Sequence, residues 1–470
     1  MTRQPYDLAV IGSGPGGYRA AILAALRGLS VTIIEKADWG GCCLNRGCVP
    51  KKDWYHTARL IAYQRHFAGR GISGALQGDM DMAWEHQERV VKTVQDSYLD
   101  YMRNLKVATI EGHGRFLDPE TLEVTSANGD THTLAARHSI IATGGAPQIP
   151  APFRPVSGRI LTSDMLYDER PPSGRRVAII GSGVIACEFA FIFSMLGKEV
   201  VWLARSAPLR RMPFSPQARR TLHEAFDQHG IELRQGVSFE TAEVHDDGVD
   251  IQLGNGETVG VDWVCLGTGR VPYTDRLGLE NIGAGTDTAG HIQRNARLQT
   301  AAPNVYAIGD VASPEMTANH AMSDASVAVE NILAGNTREQ RPLDVPVVIY
   351  SAIEMARLGM DDDMAEDEGY EPAVGFAAFE KDPCAQGQDE TEGFVRLLAD
   401  MDSGALLGAE VIGYDSGELV QLVSLAEDKD TVLRTLAHGT FNHPARGEQI
   451  GNATDTLASK WGLQEEIFGH

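Results

Sequence analysis

The 470-residue chain lacks any run of about 18 uncharged apolar residues, the length a membrane-crossing helix needs, so no transmembrane span is expected. Room for a leader is also lacking. A buried-strand pattern, Tyr6-Asp7-Leu8-Ala9-Val10-Ile11-Gly12, begins almost at once, so the expectation is no signal peptide and a cytoplasmic location. Cysteine is scarce, with six in the whole chain. That excludes a secreted disulfide framework and leaves the catalytic or redox-sensing uses that cytosolic cysteines serve. Cations are in deficit, 41 Lys and Arg against 64 Asp and Glu, for a net charge of −23. Such a chain is not expected to bind nucleic acid nonspecifically or to carry a polybasic membrane patch. The acid excess reads either as a solvated surface or as an acidic docking face. Glycine is plentiful, but its 50 residues fall in motifs rather than low-complexity runs. The length suggests about three domains.

Three of the six cysteines crowd one stretch, Gly40-Gly41-Cys42-Cys43-Leu44-Asn45-Arg46-Gly47-Cys48-Val49-Pro50-Lys51-Lys52. Residues five apart on an unbroken helix point about 140° from each other, so Cys43 and Cys48 could meet only if the helix breaks between them. Gly47 can relax the backbone there, and Pro50 suits the first turn of a helix starting near Cys48. Cys48 would then sit at the positive end of that helix, where a thiolate is favoured. The stretch is a candidate redox-active dithiol.

Two further stretches have the form strand, glycine turn, helix, strand. In the first, residues 6–11 lead into Gly12-Ser13-Gly14-Pro15-Gly16-Gly17, a small-residue helix from Tyr18 to Gly28, and Val31-Thr32-Ile33-Ile34 ending in Glu35. Gly12, Gly14 and Gly17 allow a tight turn and the approach of a pyrophosphate to the helix, while Glu35 can bind a ribose hydroxyl. The second runs Arg176–Ile180, Gly181-Ser182-Gly183-Val184-Ile185-Ala186, Glu188, and Val200–Leu203. Here the closing acid is missing, and Arg205, Arg210 and Arg211 follow instead. Arginines there accommodate a 2′-phosphate and point to NADP rather than NAD, unless they only decorate a solvated loop. Between the two units, residues 52–68 and 81–104 read as amphipathic helices, Ile140–Gly144 as the end of a strand region, and Pro147, Pro150, Pro152 and Pro155 as an extended linker. Beyond residue 341 the pattern shifts to alternating strands at Val345–Tyr350 and Phe394–Leu398, then a helix over Ser416–Asp428.

These motifs resemble the flavoprotein disulfide reductases, the family of dihydrolipoamide dehydrogenase, glutathione reductase and mercuric reductase. The family's GGTCLNxGCxPSK appears as GGCCLNRGCVPKK at 40–52. Tyr306–Asp310 matches its second FAD motif, Thr143-Gly144 and Gly269-Arg270 match its ATG and GR elements, and HPTxxE appears as His443-Pro444-Ala445-Arg446-Gly447-Glu448. The resemblance spans essentially the whole chain. It implies an α/β architecture with two Rossmann-like dinucleotide-binding domains and a C-terminal α+β dimerisation domain. The expected limits are 1–150 for the first part of the FAD domain with the dithiol, 151–270 for the NAD(P) domain, 271–341 for the second part of the FAD domain, and 342–470 for the interface domain. It further implies a homodimer in which the His443–Glu448 pair serves the dithiol of the other subunit, and a cis His443–Pro444 bond.

By the same resemblance, Lys52 and Glu188 would pair near the flavin, Gly114 and Ala318 would lie among the FAD-binding positions, and Asp310 would bind the ribityl chain. A hydride would pass between NADP(H) or NAD(H) and FAD, and electrons between FAD and Cys48. Cys43 would exchange disulfide with substrate, and His443, oriented by Glu448, would handle the proton.

The substrate is less constrained. Glu392–Val395 and Leu407–Glu410 resemble dihydrolipoamide dehydrogenase, so a dihydrolipoyl group, carried on a protein, is the first expectation. Lys51 in place of serine is closer to glutathione reductase and supports an NADPH-dependent reductase of a small disulfide as the alternative. Mercuric reductase is disfavoured because no cysteine pair follows Glu448. A third reading, from another class, is a low-turnover flavin-bearing scaffold or redox sensor in a multienzyme complex. Cys42, in place of the family's threonine, reads as a tolerated small residue or as an additional thiol. No metal site is expected.

Overall fold

The computed structural model describes residues 4–425 and 430–469. They form two compact units, one of residues 4–57, 79–177 and 238–341, the other of residues 58–78, 178–237, 342–425 and 430–469.

The first unit is built on a sheet whose centre is parallel. Strand β1 (Tyr6–Ile11) pairs with β2 (Val31–Glu35), Leu8 opposite Val31, and on its other side with the strand Thr131–Ile141, Leu8 opposite His138. Thr131–Ile141 also takes the strand Val305–Ala307 in parallel, and the antiparallel strands His113–Asp118 and Thr121–Thr125 extend the same sheet. Leu8, Val10, Ile33 and Ile140 are fully buried, which is why these strands read as apolar runs rather than alternating ones. Helix α1 (Pro15–Leu26) follows the first glycine turn, and helix Ala318–Ala334 packs on it so closely that a Cβ at Gly16 would lie 3.1 Å from the Ala321 carbonyl oxygen.

Next come α2 (Gly41–Asn45) and α3 (Cys48–Tyr63), then a helix Met80–Asn104 capped by Asp79, which accepts the Met82 N–H at 3.0 Å. The helix expected over 52–68 therefore starts at Cys48 and ends at Tyr63, where two short 3-10 turns lead to Gly71 in a left-handed conformation. The Tyr306–Asp310 segment, matched above to the second FAD motif, is strand only as far as Ala307, with Asp310 in a 3-10 turn.

The second unit holds the second glycine turn and the C-terminal domain. Helix Val184–Met195 is buried along Ala186–Phe193, and strand Glu199–Ala204 runs parallel to Glu232–Gln235. The C-terminal domain is an antiparallel sheet in the order Val347–Tyr350, Glu354–Gly359, Leu406–Ile412, Phe394–Asp400, Pro372–Ala378. Helix Glu448–Trp461 lies against it, and a Cβ at Gly375 would come within 2.2 Å of the Ala453 carbonyl oxygen. The helix expected over Ser416–Asp428 is present over Ser416–Ser424, and the expected end at Asp428 lies outside the described residues. The architecture is the expected α/β fold with an α+β C-terminal domain. Among the described residues, no helix is long and apolar enough to cross a membrane.

Candidate active site and cofactor sites

The helix breaks where the two cysteines need it to. Helix α2 carries Cys43 and ends at Asn45; Arg46 and Gly47 turn the chain; α3 begins at Cys48. Gly47 leaves little room, since a Cβ there would lie 3.3 Å from the Cys43 Cα. The two sulfurs are close enough to share a hydrogen bond. That bond, with burial, holds the Cys43 thiol well above its ordinary range. Cys48 is exposed at the first residue of the sixteen-residue α3, while Cys43 is half-buried. Exposure alone thus does not single out Cys43 as the thiol that meets substrate.

Several residues that motif reading did not single out brace this pair. Asn45 donates to the carbonyls of Gly41 and Trp39, and Gln95 donates to Asn45 Oδ1 at 3.1 Å and to Trp39. Arg46 pairs with Asp38 at 2.6 Å and with Asp168. Tyr98, stacked on Tyr18 at 4.0 Å between centroids, is close enough for the cysteines to help raise its phenol, after burial. Cys42 also has a neighbour: its Sγ is 3.8 Å from Asp164 Oδ1, and Asp164 accepts two hydrogen bonds from Arg270, at 2.7 and 3.2 Å. Burial pushes the Cys42 thiol up to about 12, against the pull of Arg270.

The first glycine turn is shaped by close approaches. A Cβ at Gly17 would sit 1.9 Å from the Gly12 oxygen, one at Gly12 2.3 Å from the Ala142 oxygen, and one at Gly41 2.7 Å from the Gly14 Cα. So the turn, the Thr143-Gly144 segment and the start of the dithiol stretch are held together. At Gly14 itself a Cβ would meet nothing within 4 Å, leaving open space at the N-terminus of α1, with Pro15 in its first turn. Glu35 is buried and accepts the Ser13 N–H at 2.8 Å, the Ser13 hydroxyl at 2.6 Å and the Ala37 N–H at 2.9 Å. It therefore organises the turn as well as being available to a ribose through its remaining lone pairs.

Other expected FAD-binding positions belong to the same unit. Thr143 donates its hydroxyl to the Tyr273 carbonyl at 2.7 Å, and Gly144 adopts φ +69°. Gly114 packs over Ile11 and Ile34, and Ala318 opens the helix that crosses α1. Asp310 faces Gly145, whose Cβ would lie 3.5 Å from that of Asp310, and burial raises its carboxyl against the pull of Arg270. Gly269 adopts φ +98° just before Arg270. Lys52, on the second turn of α3, places its ammonium 4.8 Å from the Tyr55 ring centroid.

In the second unit, Gly181 adopts φ +135°, and a Cβ at Gly183 would meet nothing within 4 Å. Glu188 is buried and accepts the Tyr350 N–H at 2.9 Å. Arg205, Arg210 and Arg211 are all exposed beyond the strand Glu199–Ala204. Further along the chain, the His443–Pro444 bond is cis, as expected. His443 Nδ1 lies 2.8 Å from Glu448 Oε1, and the Ala445 N–H donates to Glu448 Oε2 at 2.9 Å. The His443 contact, then the Ala445 one, hold the Glu448 carboxyl below its ordinary range. With Nδ1–H donating to Glu448, Nε2 of this exposed ring is an acceptor.

Comparison with known proteins is decisive at this point. Residues 6–328 match the model of the pyridine nucleotide-disulphide oxidoreductases, and residues 345–454 match that of their dimerisation domain. The chain belongs to this family. It is 33% identical to a dihydrolipoyl dehydrogenase of Thermus scotoductus, over 96% of this chain and 97% of that protein. It is 32% identical to a glutathione reductase of Burkholderia cepacia, over 91% of this chain and 93% of that one. The solved structure of LpdA from Mycobacterium tuberculosis shares the fold, with a TM-score of 0.89 at 24% identity, covering 96% of this chain and 99% of that one. The family's members are FAD enzymes that use NAD(P)(H), and this chain is accordingly a flavoprotein oxidoreductase with the family's dimerisation domain, which supports a homodimer. Its residues fit the dinucleotide: open space faces Gly14 at a helix N-terminus, and a buried acid closes the second strand.

Proposed function

We propose that the chain oxidises a dihydrolipoyl group, carried on a protein, and passes the electrons to a nicotinamide nucleotide. The observation that carries this reading is the helix break that sets Cys43 and Cys48 in hydrogen-bond contact, with Cys48 at the N-terminus of α3. The names of the full-length relatives support the lipoyl substrate.

In the proposed reaction, Cys43 and Cys48 begin as a disulfide. His443 of the partner subunit takes a proton from one substrate thiol at Nε2, and Glu448 of that subunit holds the resulting imidazolium. The substrate thiolate attacks Cys43 Sγ, breaking the disulfide and expelling the Cys48 thiolate, which the α3 N-terminus favours. The second substrate thiol then attacks the sulfur joined to Cys43, the His443 imidazolium giving its proton to the departing Cys43 sulfur and taking up that of the attacking thiol, and the oxidised lipoyl group leaves. FAD, when bound, supplies the two-electron relay from the reduced cysteines to the nicotinamide. Gly12, Gly14, Gly17, Glu35 and Asp310 would hold it. The exposed Arg205, Arg210 and Arg211 support NADP(H) as the preferred nucleotide, and a cytoplasmic location suits a site that cycles through free thiols.

Two observations fit a second reading. The same arginine loop, and the full-length similarity to a glutathione reductase, fit an NADPH-dependent reductase of a small disulfide. Anaerobic titration of the FAD-loaded protein with dihydrolipoamide, NADPH and NADH separates the two. Bleaching of the flavin by dihydrolipoamide supports the first reading; no bleaching by it, with glutathione disulfide consumed at the expense of NADPH, replaces it with the second. Cys48→Ser should lower disulfide-linked turnover by about a thousandfold or more while leaving reduction of the flavin by nucleotide in place. Unchanged turnover would rule out the dithiol.

A further inference from the structure

The arginines expected to read the nucleotide stand on a loop with unusual internal support. Residues 205–214 leave the strand Glu199–Ala204 and end at Ser215, the N-cap of the helix Pro216–Gln228. Arg219, on the first turn of that helix, folds back under the loop. Its Nε donates to the Phe214 carbonyl at 3.2 Å, its Nη1 to the Leu209 carbonyl at 2.8 Å, and its Nη2 to the Met212 carbonyl. One guanidinium thus gathers three carbonyls from the segment that carries Arg210 and Arg211. The clamp has a clear task. Leu209 adopts φ +55°, a left-handed conformation that a leucine does not hold unaided.

Both ends of the loop are anchored. Leu209 donates its N–H to the Ser182 carbonyl at 2.8 Å, and the hydroxyls of Ser182 and Ser206 are 3.0 Å apart, so the loop is tied to the Gly181-Ser182-Gly183 turn. At the other end the Ser215 N–H donates to Glu410 Oε1 at 2.6 Å, on a strand of the C-terminal sheet. With its carbonyls drawn toward Arg219, the loop turns its arginines outward, and Arg205, Arg210 and Arg211 are exposed. Carbonyl oxygens facing a phosphate would repel it. A loop that buries them on a cation presents only positive charge.

We infer that Arg219 is a positioning residue for nucleotide selection: it never meets the nucleotide, but it shapes the loop on which the 2′-phosphate is read. The inference rests on the proposed reading of Arg205, Arg210 and Arg211 as a 2′-phosphate site. Its effect belongs in discrimination between nucleotides. NADPH and NADH share everything that the glycine turn contacts and differ only at the group the loop addresses.

The test uses the FAD-loaded protein, with KM and kcat for NADPH and NADH measured for wild type, Arg219→Met, Arg219→Lys and Arg205→Ala. Arg219→Met should raise the KM for NADPH about tenfold, leave that for NADH within about twofold, and leave kcat unchanged, since a few charge-assisted hydrogen bonds set the loop. Inhibition by 2′,5′-ADP should weaken in parallel, while inhibition by 5′-AMP stays constant. Arg219→Lys keeps the charge but not the three-pronged geometry and should fall between. Should Arg219→Met fail to yield flavin-bound protein, Arg219→Lys decides alone, and unaltered selectivity in it overturns the inference. Equal effects of Arg219→Met on both nucleotides, or a loss of thermal stability with no change in selectivity, also overturn it while leaving the 2′-phosphate reading intact. If Arg205→Ala is itself unselective, the reading falls and the inference falls with it.

Discussion

The two glycine turns of this chain look alike in sequence and differ in what they demand of the backbone. At the sixth position of the first turn a Cβ would sit 1.9 Å from the Gly12 oxygen, so Gly17 is obligatory; at the same position of the second turn stands Ala186, fully buried with its methyl accommodated. The ends of the following strands differ in charge. Glu35 is buried and accepts three hydrogen bonds from its own turn and loop, whereas Arg205 is exposed and its neighbourhood is organised by a second arginine, Arg219. In the proposed reading, one unit would meet its dinucleotide with a carboxylate that is part of its scaffold. The other would meet it with guanidinium groups that project from a loop held by separate parts. The first site should therefore be brittle and the second adjustable.

The largest effect that would break this contrast is expected at Gly17. Gly17→Ala forces a methyl into the Gly12 carbonyl, so expression should yield little or no yellow protein, read as flavin absorbance per chain. Near-normal flavin content would show that the first turn is as adjustable as the second. Glu35→Gln comes next. It replaces an acceptor of three hydrogen bonds with an amide that has one acceptor oxygen, leaving buried donors short by about 1–3 kcal/mol. Flavin should dissociate more readily on dilution, and the melting temperature should fall even without added nucleotide. A drop in flavin affinity with no loss of stability would reduce Glu35 to a ligand contact. The smallest effect is expected at Ala186→Gly, which mimics the first turn in the second. It should cost only about 1 kcal/mol of helix propensity, seen as a slightly lower denaturation midpoint, with nucleotide selectivity unchanged.

Much of this was legible in the residues alone, for reasons that are local. Strands buried on both faces advertise themselves as apolar runs, and β1 and Arg176–Ile180 start and end where the pattern does. Gly47 signalled the break between Cys43 and Cys48 because a helix cannot otherwise bring them together. The supporting groups were not legible, because distance along the chain hides them. Asp164 meets Cys42 across 122 residues, Gln95 meets Asn45 across 50, and Glu410 meets Ser215 across 195. No periodicity links such pairs. Arg219 was hidden in another way. It looks like any helical surface cation until its side chain is seen turned back on the loop carbonyls.

Cys42 gives the dithiol stretch three sulfurs within seven residues, a crowd that invites scrambled pairings. Burial pushes the Cys42 thiol up to about 12, and exchange proceeds through the ionised form, so little of Cys42 is ready to exchange at neutral pH. In the reduced site Cys43 is held up as well, by its bond to Cys48 and by burial, so acidity alone does not tell the two apart. Their partners do: Cys43 faces Cys48, whereas the Cys42 sulfur faces Asp164. An alkylating agent that enters the reduced site should therefore meet the exposed Cys48 before either of the other two sulfurs.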